Sequence, residues 1–263
     1  MSNRGYIVPI GGAEDRSRDG VILRRFVELC GGSKARLAII PTASQLEETG
    51  PNYEQVFEAI GVREARSLPF EQRSDCDDPE ALEVLSRATG VFLTGGNQLR
   101  LSTVIGGTKV AQLLRRRNAE GLHVGGTSAG AAILSEHMIG YGDEGNVPRA
   151  GMAHLAPGLG IFQTIVVDQH FAQRNRFGRL LAALALNPRL VGLGIDENTA
   201  AFIGPDDVMR VVGEGSVMVL DNAKVGHTSA DRAAPGQIID VHNVVLHVLS
   251  HGGKFSFQTL QPV

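Results

Sequence analysis

Short apolar runs alternate with helix-like segments through the first half of the chain. Residues 6–10, 35–41 and 90–93 are typical of buried strands, and segments with a helical spacing of apolar residues separate them. Parallel strands need a crossover between them, which is usually a helix. The alternation therefore predicts an α/β fold in which helices cover both faces of a mostly parallel sheet.

Strand-like runs follow one another from residue 200 onward with only turns between them. This pattern predicts antiparallel strands in the C-terminal part of the fold. No stretch with the composition of a linker separates these runs from the preceding ones. We therefore expect one α/β domain over residues 1–263.

Four of the predicted strands end in glycine or in small polar residues. These ends are Gly11-Gly12, Thr42-Ala43-Ser44, Gly95-Gly96-Asn97 and the stretch that leads to Ser128. In parallel α/β sheets, ligands bind beyond the carboxyl ends of the strands. We therefore expect the four ends to line one cleft.

The stretch Gly126-Thr127-Ser128-Ala129-Gly130 fits G-x-S-x-G, the pattern of a nucleophile elbow. A serine on a tight turn between strand and helix is held in a strained conformation, and small neighbours leave its Oγ atom accessible. The next amide lies at a helix N-terminus, where an unpaired N–H group can stabilise an oxyanion. We predict a helix over 129–138. The alternative to catalysis is an ordinary glycine-rich junction.

A nucleophilic serine needs a base within hydrogen-bond reach, and histidine is the usual one. Among the eight histidines, His170 is the best candidate because it follows the predicted strand 162–167 and has polar neighbours, Asp168 and Gln169. The alternative is a structural histidine. By contrast, His123 lies inside a predicted strand, and we expect it to be a core residue.

Two adjacent carboxylates, Asp196 and Glu197, stand at the end of the next predicted strand. Either could orient the imidazole of His170, and their position does not decide between them; a solvated acidic turn is the alternative. Both follow His170 in the chain. In an α/β-hydrolase the acid precedes the histidine, so the order here favours a different fold.

Arg174, Arg176 and Arg179 lie at the start of a predicted helix over 174–186. Arginines at a helix N-terminus gain nothing from the helix dipole, and the alternative is a solvated helix start. A planar guanidinium is suited to a carboxylate partner. The placement therefore favours an acidic ligand. The glycine-rich, charged stretch 140–160 is predicted to be a long functional loop.

Composition argues against several classes of protein. The net charge is −3 and no long basic run is present, so binding to nucleic acid is not expected. No apolar run has the length of a membrane span, and no secretion signal is evident. Cys30 and Cys76 form neither a disulfide framework nor a zinc-like pattern. We expect a cytoplasmic protein without a metal.

Five separated segments together resemble the cyanophycinases, serine exopeptidases related to the aspartyl dipeptidases. The segments occur in the family's order and lie at residues 10–15, 93–98, 125–131, 168–179 and 194–200. The resemblance implies a fold like that of class I glutamine amidotransferases. It also implies Ser128 as nucleophile, His170 as general base and Glu197 as its orienting acid. The amides of Gly96 and Ala129 would form the oxyanion hole.

The resemblance also implies the ligands of the site. The substrate would be cyanophycin, a poly-aspartate backbone with arginine on each β-carboxyl group, cut to β-Asp-Arg dipeptides. Hydrolysis would pass through an acyl-enzyme and need no organic cofactor or metal. The family is commonly homodimeric. The side chains implied to bind substrate are those of Asn97, Gln98, Asp168, Gln169, Arg174, Arg176 and Arg179.

Three alternatives are set against this interpretation. An aspartyl dipeptidase of the same family would act on short peptides, and the arginine cluster favours the polymer instead. A non-catalytic binding protein on the same fold would not need Ser128, His170 and Glu197 together. A glutamine amidotransferase would need a cysteine nucleophile, and neither Cys30 nor Cys76 occupies an elbow.

Overall fold

The computed structural model describes residues 3–17 and 19–263. Its first half alternates strands and helices as the sequence predicts, with short 3₁₀ turns at Gly32–Lys34 and Arg73–Asp77. In chain order the elements of this half are β1 (Ile7–Ile10), α1 (Val21–Leu29), β2 (Arg36–Ile40), α2 (Thr49–Ile60), β3 (Glu64–Ser67), α3 (Pro79–Arg87), β4 (Gly90–Leu93), α4 (Gln98–Ile105), α5 (Lys109–Ala119), β5 (His123–Thr127) and α6 (Ala129–Ala132).

The second half contains more strands than helices. Its elements are β6 (His137–Gly142), β7 (Ala153–Pro157), β8 (Ile165–Gln169), α7 (Phe177–Leu186), β9 (Val191–Ile195), β10 (Thr199–Ile203), β11 (Val208–Gly213), β12 (Val217–Asp221), β13 (His227–Thr228), β14 (Val241–His242), β15 (Val245–Leu249), β16 (Lys254–Ser256) and β17 (Gln261–Pro262). Most of the strands after β9 pair antiparallel, as the run of strand patterns predicts.

A nine-stranded sheet has the order β17-β16-β11-β10-β1-β5-β4-β2-β3. The five strands from β1 to β3 in this order are parallel, and the four from β10 to β17 are antiparallel. The strand β1 lies at the border between the two parts. The predicted α/β class, with parallel strands and an antiparallel C-terminal part, is therefore confirmed.

A second sheet has the order β15-β12-β9-β8. Within it β8 and β9 are parallel, and β12 and β15 pair antiparallel. The apolar patterns of β8 and β9 resemble those of the first sheet. Because periodicity reports burial and not pairing partners, the sequence could not assign these strands to a separate sheet.

The helix α1 shows how one face of the parallel strands is covered. Ile22, Leu23, Phe26 and Val27 form its buried face. The ring of Phe26 packs 5.8 Å from that of Phe92 in β4, measured between centroids. Replacing such a buried phenylalanine by alanine costs about 3–5 kcal/mol. This packing anchors the sheet whose strand ends carry the site.

The predicted helix over 129–138 is wrong in its length. The observed helix α6 ends at Ala132, and β6 already begins at His137. Residues 137–142 pair with β7 in a hairpin that contains a register shift between Ile139 and Tyr141. Short apolar runs fit helix and strand patterns alike, so periodicity alone misassigned this one.

Two further boundaries differ from the prediction. The stretch 140–160 is not one long loop, because β6 and β7 occupy both of its ends. The helix predicted from residue 174 begins at Phe177 instead, since Asn175 adopts a left-handed conformation with φ of 50°. Arg176 therefore occupies the N-cap position, before the first turn, and its side chain makes no capping hydrogen bond.

Candidate active site

Ser128 lies on the turn between β5 and α6 with φ of 52° and ψ of −112°, a conformation that non-glycine residues rarely adopt. Small residues make the turn possible. A Cβ atom on Gly126 would lie 2.1 Å from the carbonyl oxygen of Gly130, and one on Gly130 would lie 2.1 Å from that of Leu93. The G-x-S-x-G pattern therefore forms a tight strand-to-helix turn that presents the serine.

A chain of hydrogen bonds joins Ser128, His170 and Glu197. The Ser128 Oγ atom lies 2.9 Å from His170 Nε2, and His170 Nδ1 lies 2.6 Å from Glu197 Oε1. A carboxylate accepts hydrogen bonds, so Nδ1 carries the proton and Nε2 is free to accept the hydroxyl proton of the serine. The three residues have the geometry of a nucleophile, a base and an orienting acid.

Glu197, and not Asp196, contacts the imidazole. Asp196 instead holds the backbone around the site: its Oδ1 accepts from the amide of Ala172 at 3.0 Å, and its Oδ2 accepts from the amide and hydroxyl of Ser216 at 2.9 and 2.8 Å. The two adjacent carboxylates therefore have different roles. Their spacing alone could not distinguish them, because either could have turned toward the histidine.

The environment of His170 favours its neutral form. Burial lowers the pKa of the imidazole below its ordinary value, and the charges of Arg174 and Arg176 lower it further. The hydrogen bond and charge of Glu197 act in the opposite direction. A neutral imidazole can accept a proton from Ser128 at neutral pH.

The Gly95-Gly96 turn lies beside the serine. A Cβ atom on Gly95 would lie 3.4 Å from Ser128 Cβ and 4.0 Å from its Oγ. Gly96 has φ of 140°, and a side chain there would meet the Ala43 carbonyl oxygen at 2.2 Å, so glycine is required. Its amide donates to no protein acceptor within the described residues. The amide of Ala129, first residue of α6, likewise has no acceptor in its own helix.

The predicted binding residues Asn97 and Gln98 already make protein contacts. The Asn97 side chain caps α4 by accepting from the amides of Leu99 and Arg100. The Gln98 Nε2 atom donates to the carbonyls of residues 139 and 140, at 3.2 and 2.9 Å. Gln98 Oε1 accepts no hydrogen bond from the part of the chain that the structure describes. Among residues 3–17 and 19–263, Gln98 Oε1 is therefore an acceptor left without a protein donor.

Asp168 and Arg179 form a buried ion pair. Arg179 donates from Nε to Oδ2 at 2.7 Å and from Nη2 to Oδ1 at 2.5 Å, and both residues are almost fully buried. A bidentate pair of this kind satisfies both partners. The structure therefore places these two predicted binding residues in the wall behind the site. Their predicted contact with substrate stays a prediction.

Arg176 is buried but incompletely paired. Its Nη1 donates to the carbonyl of Gln169 at 2.7 Å and lies 3.6 Å from Asp168 Oδ1. No acceptor among the described residues is within reach of its Nε. Burial lowers the pKa of Arg176 to about 10, whereas the charges of Asp168 and Glu144 raise it. Arg174, by contrast, is exposed.

The β6–β7 hairpin forms one side of the arginine cluster. The carbonyl of Gly142 accepts from Arg179 Nη1 at 3.4 Å. Gly145 donates to the carbonyl of Asn175 and accepts from the amide of Gly178, both at 2.7 Å. These contacts bring Glu144, which lies between the two glycines, close enough for its charge to raise the pKa of Arg176. The stretch predicted as a functional loop is thus largely a hairpin beside the arginines, and Glu144 lies in the connection between its two strands.

Residues 7–211 match peptidase family S51. The chain belongs to this family. The cyanophycinases of Trichormus variabilis and Geminocystis herdmanii are 41% and 38% identical to it, over 97% and 99% of this chain and 86% and 96% of their own lengths. A solved structure of a peptidase from an acI-B1 Actinobacterium has the same fold, with a TM-score of 0.68 at 24% identity over 97% of both chains.

Membership of family S51 confirms two predictions from the sequence. The five motif segments do mark a relative of the cyanophycinases, and the prediction of a serine peptidase holds at the level of the family. No helix within the described ranges is both long and apolar enough to cross a bilayer. Over the same ranges, no three His, Cys, Asp or Glu side chains are grouped as metal ligands.

Sequence reasoning did not identify the place of Glu14 in this S51 site. Its buried carboxylate accepts from the hydroxyls of Tyr53 and Thr127, each at 2.5 Å, and lies 3.6 Å from Arg16 Nε. Burial, and then the negative charge of Glu14, raise the pKa of Tyr53. The one feature of the sequence that indicates a place near the site is that Glu14 follows the glycine-rich end of a predicted strand. Its partners were not readable from spacing.

Proposed function

We propose that the protein is a serine exopeptidase that hydrolyses cyanophycin to β-Asp-Arg dipeptides. The observation that carries the proposal is the hydrogen-bonded chain from Ser128 through His170 to Glu197 on a nucleophile elbow. Its curated relatives in family S51 support the choice of polymer.

In this mechanism Ser128 Oγ attacks the scissile carbonyl carbon while His170 Nε2 takes the hydroxyl proton. The carbonyl oxygen becomes an oxyanion, and the amides of Gly96 and Ala129 donate to it. Collapse of this intermediate breaks the C–N bond, and the imidazolium gives its proton to the leaving amine. Water then attacks the acyl-enzyme, again through His170, and releases the acid and free Ser128. Glu197 stabilises the imidazolium in both steps.

The substrate carries both carboxylate and guanidinium groups, and the site carries partners for both. Arg176 has a buried Nε donor without a protein acceptor, which suits a substrate carboxylate. Arg174, exposed beside His170, adds positive charge at the mouth of the site. Gln98 Oε1 and the carboxylate of Glu144 are acceptors for a guanidinium. Arg179 and Asp168 hold the wall against which these groups are placed.

The protein is further proposed to be a cytoplasmic homodimer. Cys30 and Cys76 are unpaired thiols, as expected in a reducing compartment. The strand β15 lies at the edge of its sheet and exposes 47% of Leu246 and 59% of Val248 on one face. An edge strand with exposed apolar side chains suits a partner chain. Light scattering would give the mass, and a monomer would contradict the dimer.

The decisive experiment compares substrates and variants together. The purified protein should release dipeptides from cyanophycin, and Ser128→Ala should lower that rate by about 10⁴-fold or more while still binding the polymer. Ser86→Ala, on the exposed surface of α3, is the matched control and should retain full activity. Normal turnover by Ser128→Ala would overturn the mechanism. Cleavage of short α-aspartyl dipeptides but not of cyanophycin would instead identify an aspartyl dipeptidase.

A further inference from the structure

Three consecutive carbonyls at the end of β1 each accept a backbone hydrogen bond from a different part of the site. The pairs are Ile10 with the amide of Ser128 at 3.0 Å, Gly11 with that of His170 at 2.8 Å, and Gly12 with that of Asn198 at 2.9 Å. Asn198 directly follows Glu197. One short turn therefore contacts the segments that hold the serine, the histidine and the glutamate.

The residues that donate to this turn share an uncommon backbone conformation. Ser128, His170 and Asn198 have φ values of 52°, 48° and 46°. Non-glycine residues adopt positive φ at an energetic cost and keep it only where the surroundings impose it. The three hydrogen bonds to the carbonyls of residues 10–12 supply this constraint. The turn thus holds each segment in the conformation that presents its side chain.

Glycine is required at both positions of the turn. A Cβ atom on Gly11 would lie 2.0 Å from the carbonyl oxygen of Asp196. One on Gly12, which has φ of 98°, would lie 2.3 Å from Cε1 and 2.5 Å from Nε2 of His170. The nearest atoms are those of the imidazole edge that faces Ser128. The ring of His170 therefore rests against the bare α-carbon of Gly12.

We propose that Gly12 is a positioning residue for His170. Its missing side chain leaves the space in which the imidazole lies between Ser128 and Glu197. Its carbonyl fixes the loop that carries Glu197. This inference rests on the proposed function, since it matters for catalysis only if His170 is the base. Any side chain at position 12 displaces the ring from the line between its two partners.

The test compares Gly12→Ala with Gly61→Ala. Gly61 has φ of 106°, and no heavy atom lies within 4 Å of the Cβ that alanine would add. The two substitutions therefore impose a similar backbone penalty, and only the first adds a contact with the imidazole. We expect kcat of Gly12→Ala for cyanophycin to fall by about 100-fold or more, with KM within about threefold. Gly61→Ala should keep the activity of the unchanged enzyme.

A spectroscopic signature separates positioning from general damage. The Nδ1 proton of His170, held 2.6 Å from Glu197 between the heavy atoms, should give a strongly downfield proton NMR signal. The signal should persist in Gly61→Ala and disappear in Gly12→Ala. Retention of both the signal and kcat in Gly12→Ala would overturn the inference.

A second variant covers the case in which Gly12→Ala does not fold. In a His170→Ala background the imidazole is absent, so Gly12→Ala should lower Tm only as much as Gly61→Ala does. The proposed contact would be contradicted if Gly12→Ala lowered Tm more than Gly61→Ala does and did so by the same amount with and without His170. Failure of the proposed function is distinguishable, because it would show as no cleavage of cyanophycin by the unchanged enzyme or as normal turnover by Ser128→Ala, while the Gly12 effects on signal and Tm remain.

Discussion

The carboxylate of Glu14 lies beside the nucleophile turn, where it accepts a hydrogen bond from the hydroxyl of Thr127, one residue before Ser128. It also accepts from the hydroxyl of Tyr53 in α2. Through these bonds a buried charge connects the loop after β1, the first helical layer and the elbow. Hydrogen bonds to a buried charge contribute more to stability than neutral ones.

Replacing Glu14 by glutamine should destabilise the protein and lower its activity. The neutral amide can accept from only one oxygen and presents an NH₂ group to a hydroxyl or to Arg16. We expect a loss of about 1–3 kcal/mol in the free energy of unfolding, measured by urea denaturation, together with a lower kcat. Glu47→Gln, at an exposed position, is the control. Equal stability of the two variants would contradict a supporting role for Glu14.

Activity should persist below the ordinary pKa of histidine. Burial and two arginines lower the pKa of His170, so the base stays neutral, and active, to a lower pH than a free imidazole with its value of about 6.5. The acid limb of the profile of kcat/KM against pH should therefore have its midpoint below that value. A midpoint above about 6.5 would show either that His170 is not the titrating base or that it is not buried beside the two arginines.

The charge of Arg174 should be visible in the same profile. Because this charge lowers the pKa of His170, Arg174→Gln should move the acid limb toward higher pH. Arg24→Gln, on the exposed side of α1, removes an equal charge elsewhere and should leave the midpoint in place. Identical shifts in the two variants would indicate an effect of net charge and not of position.

Breaking the ion pair between Asp168 and Arg179 should be costly. Arg179→Met leaves the carboxylate of Asp168 buried without its bidentate partner, which costs about 3–5 kcal/mol in the free energy of unfolding. Adding Asp168→Asn removes the buried charge that lost its partner and should recover part of the lost free energy of unfolding. Arg25→Met, at an exposed pair, should change stability by about 0.5 kcal/mol or less. Strictly additive losses in the double variant would contradict the pairing.

Arg176 should affect binding more than stability. Arg176→Lys keeps a positive charge but removes the Nε donor that has no protein acceptor. We expect KM for cyanophycin to rise by about 10–100-fold with a smaller change in kcat, from steady-state kinetics. Arg189→Lys, exposed and outside the site, is the control. An unchanged KM would show that Arg176 does not bind substrate and only supports the residues around the site.

The strand ends could be predicted because the elbow and the histidine follow recognisable apolar runs. Ser128 follows β5, and His170 follows β8, as the alternation indicates. The choice of Glu197 came from the resemblance, because two adjacent carboxylates look alike in sequence. In the fold their partners distinguish them, because Asp196 accepts from Ala172 and Ser216 whereas Glu197 accepts from His170.

Other features depended on contacts between distant residues. The sequence predicts helix and loop where the hairpin β6–β7 lies, because a short apolar run fits helix and strand alike and the pairing of the two strands depends on tertiary contacts. The division of the arginines into a paired Arg179, a half-paired Arg176 and an exposed Arg174 depends on burial that spacing does not report. The prediction of a single domain over residues 1–263 stays a prediction.

The position of β1 between the parallel and the antiparallel strands has a consequence for when the enzyme first becomes active. The serine and the histidine are 42 residues apart, and the histidine and the glutamate are 27 apart. A chain still on the ribosome that ends before Glu197 holds a serine and an imidazole without the acid that orients it. The docking of β10 beside β1 supplies that acid. Hydrolytic power therefore arises only after residues 197–203 have been synthesised and β10 has paired with β1.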